Sequence, residues 1–302
     1  MREPFGVVAA IGVWNYPMQT ASWKIAPALI CGNAVVYKPS PLAPLTSLVL
    51  ALILQSAGLP DGILSIVQGD GETGRMLCEH KGVDKVTFTG SSTTGSKVLT
   101  ACSRYGSLKP ATMELGGKSS CIVFPDADLE VAVNGALMAN FFSQGEVCSN
   151  ASKILVHDLL LPEFRERIFA ATNAIKVGDP LDESTRMGAL ISEEHLNKVK
   201  GLIDEARQQG ATVLCGGERM TVQGLEGGYY LSPAIIENVR TDMRIYQEEI
   251  FGPVLMLIPF ETLEEAIQIA NDTPYGLAAG IFTKFVLLSL FFICLTCYLV
   301  SM

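Results

Sequence analysis

Apolar, β-branched runs alternate with segments of helical periodicity along the first third of the chain. This pattern predicts strands over residues 33–37, 63–68 and 85–89, and helices over residues 45–57 and 72–80. Alternating strands and helices form a parallel sheet with helices on both faces. Such sheets bind nucleotides beyond the carboxyl ends of their strands.

The same alternation resumes after Gly117. Strands are predicted over residues 121–124, 153–156, 212–214 and 254–259, and helices over residues 129–142, 162–175 and 193–209. We therefore expect an α/β fold in two domains, residues 1–117 and residues 118–284. Residues 285–302 carry no charge and are rich in Leu, Phe and Cys, so we treat them as a separate apolar tail.

Composition excludes several classes of protein. A chain of 302 residues that is 49% hydrophobic and 18% charged is long enough for a large core and is not disordered. Its net charge of -9 argues against nucleic acid or an anionic membrane surface as the main partner, and favours small diffusible substrates. The cysteines lack the spacing of a disulfide framework or zinc site, and no export signal is visible, so a cytoplasmic location is expected.

Three compact motifs carry a carboxylate, a thiol and a side-chain amide. Glu114 opens Glu-Leu-Gly-Gly-Lys, Cys148 ends Gln-Gly-Glu-Val-Cys, and Asn15 lies in Val-Trp-Asn-Tyr-Pro. These groups supply a base for water, a covalent nucleophile and an oxyanion donor, which acyl chemistry on an aldehyde carbon requires. The alternatives are a buried structural cysteine, a strand-end carboxylate in a turn, and a plain loop closed by Pro17.

The three histidines, His80, His157 and His195, lie outside these motifs. Their positions argue against a Ser-His-Asp or Cys-His hydrolase and against a metal held by histidine. We therefore expect no metal site.

The motifs, together with Phe-Thr-Gly-Ser at residues 88–91 and Glu-Glu-Ile-Phe-Gly-Pro at residues 248–253, resemble the aldehyde dehydrogenase superfamily. The likeness runs from about Arg2 to about Lys284. Segments 2–4, 38–41 and 138–141 look most like those of trimethylaminobutyraldehyde and betaine-aldehyde dehydrogenases. The resemblance implies a Rossmann-like cofactor domain, incomplete at its N-terminus, followed by an α/β catalytic domain.

By this resemblance, Cys148 attacks the aldehyde to give a thiohemiacetal, and Asn15 and the Cys148 backbone N–H hold the oxyanion. Hydride passes to the nicotinamide, and Glu114 activates the water that hydrolyses the thioester. Lys24 is implied to lie near this base as part of a proton path; a solvated surface lysine is its alternative. Glu146 stands where the family usually shows Gln, and we expect its charge to raise the pKa of the thiol.

The resemblance also implies a set of residues that contact the cofactor. NAD is the expected cofactor, and NADP stays open because many members carry Glu where this chain has Pro41. A serine N-cap without any ligand is the alternative at the start of the helix after residue 90. The implied cofactor-binding residues are Trp14, Lys38, Ser40, Gly90, Ser91, Leu115, Gly116, Glu249 and Phe251.

The sequence thus favours NAD(P)-dependent oxidation of an aldehyde to a carboxylic acid. The alternative is a non-catalytic truncated product that associates with a full-length relative or a membrane. A homo-oligomer is typical of the family, but the family's terminal strand is replaced here by the apolar tail. Three origins for this tail stay open: a membrane anchor, a buried terminal segment, or translated non-coding sequence.

Overall fold

The computed structural model of this chain describes residues 2–104 and 108–285. The chain divides into two compact units, the first ending at Gly116 and the second beginning at Gly117. Each unit is an α/β assembly with its own sheet.

The first unit is a run of strand-helix-strand crossovers. Its strands are β1 (Val7–Ile11), β2 (Ala34–Lys38), β3 (Leu64–Ile66), β4 (Lys85–Thr89) and β5 (Ala111–Glu114). Its helices are α1 (Pro17–Ile30), α2 (Leu45–Ser56), α3 (Gly71–Glu79) and α4 (Ser92–Ser103). The strands pair in parallel in the order β3-β2-β1-β4-β5.

Helices cover both faces of this sheet because successive side chains of a strand point to opposite faces. Ala9 of β1 packs in a core with Cys78 of α3 and Val98 of α4. Its neighbour Ala10 packs on the other face, in a core with Ala21 of α1.

The strand order of the first sheet has a reversal point beside β1. The chain runs outward from β1 through β2 to β3 and then returns to place β4 on the other side of β1. The loops that leave β1 and β4 therefore diverge from each other. In open α/β sheets, ligands bind in the crevice at this point, outside the carboxyl ends of the strands.

The second unit contains a six-stranded sheet in the order β13-β6-β7-β12-β11-β8, where only β8 is antiparallel to its neighbour. These strands are β6 (Ser120–Val123), β7 (Lys153–His157), β8 (Thr212–Cys215), β11 (Ala234–Glu237), β12 (Val254–Phe260) and β13 (Ala279–Phe282). A small ribbon pairs β9 (Arg219–Met220) with β10 (Tyr230–Leu231).

Among the described residues of the second unit, the α-helices are α5 (Leu129–Phe141), α6 (Leu161–Asn173), α7 (Glu193–Gln208), α8 (Arg244–Gln247) and α9 (Leu263–Asn271). The alternation along β12 again separates two faces. Leu255 packs with Ala132 of α5 and Phe164 of α6, whereas Met256 packs with Leu196 of α7.

The α/β fold class predicted from the sequence is confirmed, and the predicted helix and strand segments match observed elements to within a few residues. No prediction was made for β1, α1, β9, β10, β11, α8, α9 and β13. Within the described ranges 2–104 and 108–285, no helix is both long and apolar enough to cross a membrane. All of the predicted apolar tail except Phe285 lies outside these ranges.

Candidate active site

Cys148 lies in a loop that follows α5 in the second unit. A 3-10 turn, Phe142–Gly145, links the helix to this loop, and its residues Ser143 and Gln144 have φ of 49° and 57°. At Gly145 φ is 73°, and an added Cβ would lie 2.1 Å from the carbonyl oxygen of Gly252. Only glycine fits this approach. The half-buried Cys148 follows three residues later.

Hydrogen bonds to distant backbone groups hold this loop in place. The Gln144 side-chain oxygen accepts from the Gly188 N–H at 3.0 Å, and Glu146 Oε1 accepts from the Ile191 N–H at 3.0 Å. Both donors lie in the segment that precedes α7. The loop before Cys148 is therefore held at two points by one other segment of its own unit.

Glu114 is the last residue of β5. Lys24 of α1, in the same unit, is only 8% exposed, which excludes the alternative of a solvated surface lysine. Its Nζ donates to Thr87 Oγ1 of β4 at 3.2 Å. Burial lowers the pKa of Lys24 to about 8, and the nearby charge of Glu114 opposes this shift. A lysine of this kind can exchange a proton near neutral pH.

Asn15 lies between β1 and α1 and is half-buried. The helix begins directly afterwards, because Pro17 occupies its first turn, where a missing N–H has no cost. The Thr20 hydroxyl donates to the Tyr16 carbonyl at 2.9 Å and closes this turn. Asn15 therefore sits at the carboxyl end of the central strand, in a segment fixed by the helix that follows.

A cavity of about 840 Å³ opens at the carboxyl ends of the strands in the first unit. Five of the predicted cofactor-binding residues line it: Trp14, Lys38, Ser40, Gly90 and Ser91. Pro41 lines the same cavity. The structure thus brings together residues that the sequence places in three separate segments, at the reversal point of the sheet.

The strand ends that face this cavity have little room for side chains. A Cβ on Gly12 would lie 1.8 Å from the Tyr37 hydroxyl, and a Cβ on Gly90 would lie 2.5 Å from Phe88 Cζ. Ser91 caps α4 by accepting from the Thr94 N–H at 3.3 Å, so the predicted N-cap is present. A helix N-terminus at a bare strand end attracts phosphate, and a cavity of this size suits a dinucleotide.

Lys38 is also buried, at 4% exposure, and is not a solvated lysine. Its Nζ donates to the Pro39 carbonyl at 2.8 Å. Burial lowers the pKa of Lys38, and the charge of Asp70 opposes this effect. Its position beside Ser40 agrees with the ribose pocket implied by the resemblance.

The remaining predicted cofactor residues lie elsewhere. Leu115 packs on the core between the sheet and α4, and Gly116 ends the first unit. Glu249 belongs to the second unit, where its Oε1 accepts from the Gly117 N–H at 3.2 Å, and burial raises its pKa. Phe251 has a φ of 58°. Their cofactor contacts stay predictions.

Two ionisable residues near the cysteine loop, Glu146 and His195, make contacts that were not predicted from the sequence. His195 was set outside every motif, but its Nε2 lies 2.6 Å from the Phe251 carbonyl oxygen and 3.7 Å from Glu146 Oε1. Burial raises the pKa of Glu146 to about 7. No short motif in the sequence indicates that Glu146 and His195 lie close together, because they come from different segments.

Among the residues that the structure describes, no group of three or more His, Cys, Asp or Glu side chains is arranged to hold a metal ion.

Comparison with known proteins connects this geometry to a family. Residues 1–288 match the model of the aldehyde dehydrogenase family. The chain is 54% identical over 285 residues to 4-trimethylaminobutyraldehyde dehydrogenase A of Danio rerio, an alignment that covers 94% of this chain and 56% of that protein.

Two solved structures have the same fold. The betaine aldehyde dehydrogenase of Staphylococcus aureus in complex with NAD+ has a TM-score of 0.94 and 41% identity, over 97% of this chain and 58% of that chain. A 3,6-anhydro-L-galactose dehydrogenase in complex with NADP has a TM-score of 0.93 and 39% identity, over 96% of this chain and 61% of that chain.

The chain therefore spans less than two thirds of the length of each of these proteins. The match of its residues 1–288 to the family model, together with 54% identity to a curated relative, shows that the chain belongs to the aldehyde dehydrogenase family.

Proposed function

We propose that this chain carries out NAD(P)-dependent oxidation of an aldehyde to a carboxylic acid. The observation that carries the proposal is the family match over residues 1–288, which includes Cys148, Glu114 and Asn15. The cavity at the reversal point of the first sheet supports it independently, because its lining suits a dinucleotide.

The thiol of Cys148 is the proposed nucleophile. Its sulfur attacks the carbonyl carbon of the aldehyde, and the carbonyl oxygen becomes an oxyanion in a thiohemiacetal. The amide of Asn15 and the backbone N–H of Cys148 donate to this oxyanion. An amide suits this role because it donates at any pH and carries no charge that would trap the anion.

Glu114 is the proposed base for the second half of the reaction. Once the thioester has formed on Cys148, Glu114 takes a proton from water, and the resulting nucleophile releases the acid and the thiol. Lys24 exchanges protons with this carboxylate, which is supported by its lowered pKa of about 8 and by its interaction with the charge of Glu114.

The cavity of the first unit would hold the cofactor. Lys38 and Ser40 would bind the adenosine ribose, and the N-terminus of α4 at Ser91 would bind the pyrophosphate. Trp14, Gly90, Leu115, Gly116, Glu249 and Phe251 complete the proposed contacts. A bound nicotinamide supplies the hydride acceptor for the oxidation.

The substrate class follows from the relatives alone. The similar proteins are named for 4-trimethylaminobutyraldehyde and betaine aldehyde, so we propose a small aldehyde with a quaternary ammonium group. The non-catalytic truncated product stays the alternative, since the chain covers 56% of the length of the Danio rerio protein.

NADH formation tests these proposals directly. Purified chain is mixed with NAD or NADP and a panel of aldehydes that includes both quaternary ammonium substrates, and absorbance of the reduced cofactor is followed. Turnover supports the enzymatic proposal. Binding of NAD without any turnover would favour the non-catalytic alternative.

Replacing the nucleophile separates chemistry from binding. Cys148→Ala is expected to reduce steady-state NADH formation to the background rate, because the covalent intermediate cannot form. NAD affinity, measured by fluorescence titration, should stay nearly unchanged. Cys31→Ala, at an exposed cysteine after α1, is the matched control and should retain turnover. Normal turnover in Cys148→Ala would contradict the assignment.

Replacing the proposed base should separate fast hydride transfer from slow hydrolysis of the thioester. In Glu114→Gln, hydride transfer precedes the blocked hydrolysis, so a burst of about one NADH per chain should be followed by a steady rate lowered about 10²- to 10³-fold. Rapid-quench measurement should recover an acyl-enzyme on Cys148. Glu166→Gln, an exposed residue of α6, serves as control. A trace without a burst or trapped acyl group would assign Glu114 another role.

Position 41 should set the choice of cofactor. Pro41→Glu is expected to raise the kcat/KM ratio of NAD to NADP by about tenfold or more, since a charge-assisted hydrogen bond to the ribose contributes about 1.5–3 kcal/mol. The carboxylate also repels the phosphate of NADP. Pro41→Gln controls for the loss of proline without adding charge. If the kcat/KM ratio of NAD to NADP is the same in Pro41→Glu as in Pro41→Gln, position 41 does not face the ribose.

A further inference from the structure

Two ionisable side chains of the second unit, the buried Glu146 and the partly buried His195, have no part in the reaction steps above. Glu146 is 5% exposed, and the His195 side chain is 12% exposed. They lie next to the two segments that carry Cys148 and Phe251. Burial disfavours the charged forms of ionisable groups, so such groups are expected to make specific interactions where they are buried.

His195 binds the turn at Phe251. Its Nε2 lies 2.6 Å from the Phe251 carbonyl oxygen, and the two rings meet edge to face with centroids 6.0 Å apart. A carbonyl oxygen only accepts hydrogen bonds, so the Nε2 atom carries the proton. Phe251 has a φ of 58°, which an aromatic residue rarely adopts, and the bond from His195 helps to hold this conformation.

Glu146 binds the segment that leads into the helix of His195. Its Oε1 accepts from the Ile191 N–H at 3.0 Å and lies 3.7 Å from His195 Nε2. The next residue, Ser192, caps α7 by accepting from the His195 N–H at 3.1 Å. The start of α7 therefore lies between the loop before Cys148 and the Phe251 turn, and bonds to both.

The two segments also meet directly. The Gly145 backbone approaches the Gly252 carbonyl so closely that a Cβ would lie 2.1 Å from its oxygen. A shift of the Phe251 turn therefore acts on the loop that carries the thiol. We propose that Glu146 and His195 are positioning residues that join the Cys148 loop to the Phe251 turn, and that the charge of Glu146 also acts on the thiol two residues further along the same loop.

This proposal rests on the proposed function for the roles of Cys148 and Phe251. The charge of Glu146 changes within the working range of an enzyme, because burial raises its pKa to about 7. Burial lowers the pKa of His195, so its imidazole is neutral when Glu146 ionises and does not neutralise the carboxylate. Above pH 7 a carboxylate therefore stands two residues from the thiol and disfavours the thiolate.

Other charged groups surround the pair in the described part of the second unit. Glu194 and Lys198 of α7 act on His195, and Lys198 also acts on Glu248 and Glu249 before the Phe251 turn. Burial also raises the pKa of Glu249, so the Glu146→Gln variant is needed to separate the effects of the two carboxylates. A pH dependence over this range that disappears in Glu146→Gln is therefore assigned to Glu146.

Alkylation of Cys148 measures the effect without relying on turnover. The full-length chain and Glu146→Gln are treated with iodoacetamide from pH 6 to pH 8, and the Cys148 peptide is quantified by mass spectrometry. The rate ratio of variant to parent should rise from about one at pH 6 to several-fold, and at most about tenfold, at pH 8. Glu166→Gln should give a ratio of one throughout.

A ratio of one at every pH, or a raised ratio that does not change with pH, would overturn the electrostatic role of Glu146. A pH-dependent ratio in a chain that forms no NADH would refute the proposed function and leave this role standing. The two hypotheses therefore fail separately.

Thermal unfolding gives an independent check of the same group. A folded-state pKa raised from 4.5 to about 7 stabilises the fold below pH 4.5, and this contribution is lost as the pH rises through 7. Glu146→Gln should therefore unfold a few degrees higher than the parent at pH 8, with a smaller difference at pH 5.5. If the unfolding temperatures of variant and parent differ by the same amount at both pH values, Glu146 does not ionise in a buried position over this range.

Hydrogen exchange tests the role of His195. His195→Leu removes the donor to Phe251, so amide exchange should accelerate in the peptides that contain the Phe251 turn and the Cys148 loop. His195→Gln keeps an N–H donor at a similar reach and should restore most of the protection in both. Acceleration in neither peptide, or in the Phe251 turn alone, would show that His195 does not join the two segments.

Discussion

Both units depend on one constraint, the burial of a parallel sheet between two layers of helices. Parallel strands need crossover helices, and these helices cover both faces of the sheet. The central strand of the first unit therefore has apolar residues on both sides, and Ala9 and Ala10 are both fully buried. Small side chains at the centre allow helices to pack closely on each face.

The same constraint determines where polar chemistry is possible. Because both faces are closed, polar groups that bind a ligand collect at the strand ends. Asn15 follows β1, Lys38 ends β2, Ser91 follows β4 and Glu114 ends β5. Each of these residues lies at or just after the carboxyl end of its strand. Because all five strands are parallel, these ends lie at the same edge of the sheet. Close packing thus sets the location of the site before any single residue is considered.

Much of this organisation could be predicted from the sequence, for a physical reason. Residues 85–89 and 153–156 are apolar runs bounded by turns, and they form β4 and β7 almost as predicted. β1 was missed because its Val-Val-Ala-Ala-Ile run is followed by glycine and by a segment that looks like a loop. α1 was missed because Pro17 and Pro27 suggest breaks, although a proline in the first turn is favourable.

Candidate site residues could be predicted only where they lie in a short motif. Cys148, Glu114 and Asn15 each stand in such a motif, and the residues that line the cavity of the first unit follow strand ends. Contacts between distant segments carry no such signal: the bond between Glu146 and Ile191 spans 45 residues. A histidine in α7 shows no relation in sequence to the turn at Phe251.

Burial shifts the pKa values of basic and acidic side chains in opposite directions. It lowers the pKa of Lys24 to about 8 and raises that of Glu146 to about 7, because a low dielectric disfavours either charge. For Lys24 the result is a group able to exchange a proton near neutral pH. For Glu146 the result is a residue that resembles an amide at low pH and a carboxylate at high pH. A glutamine would keep the bond to the Ile191 N–H at every pH, so the chemical difference that this glutamate introduces is confined to its charge.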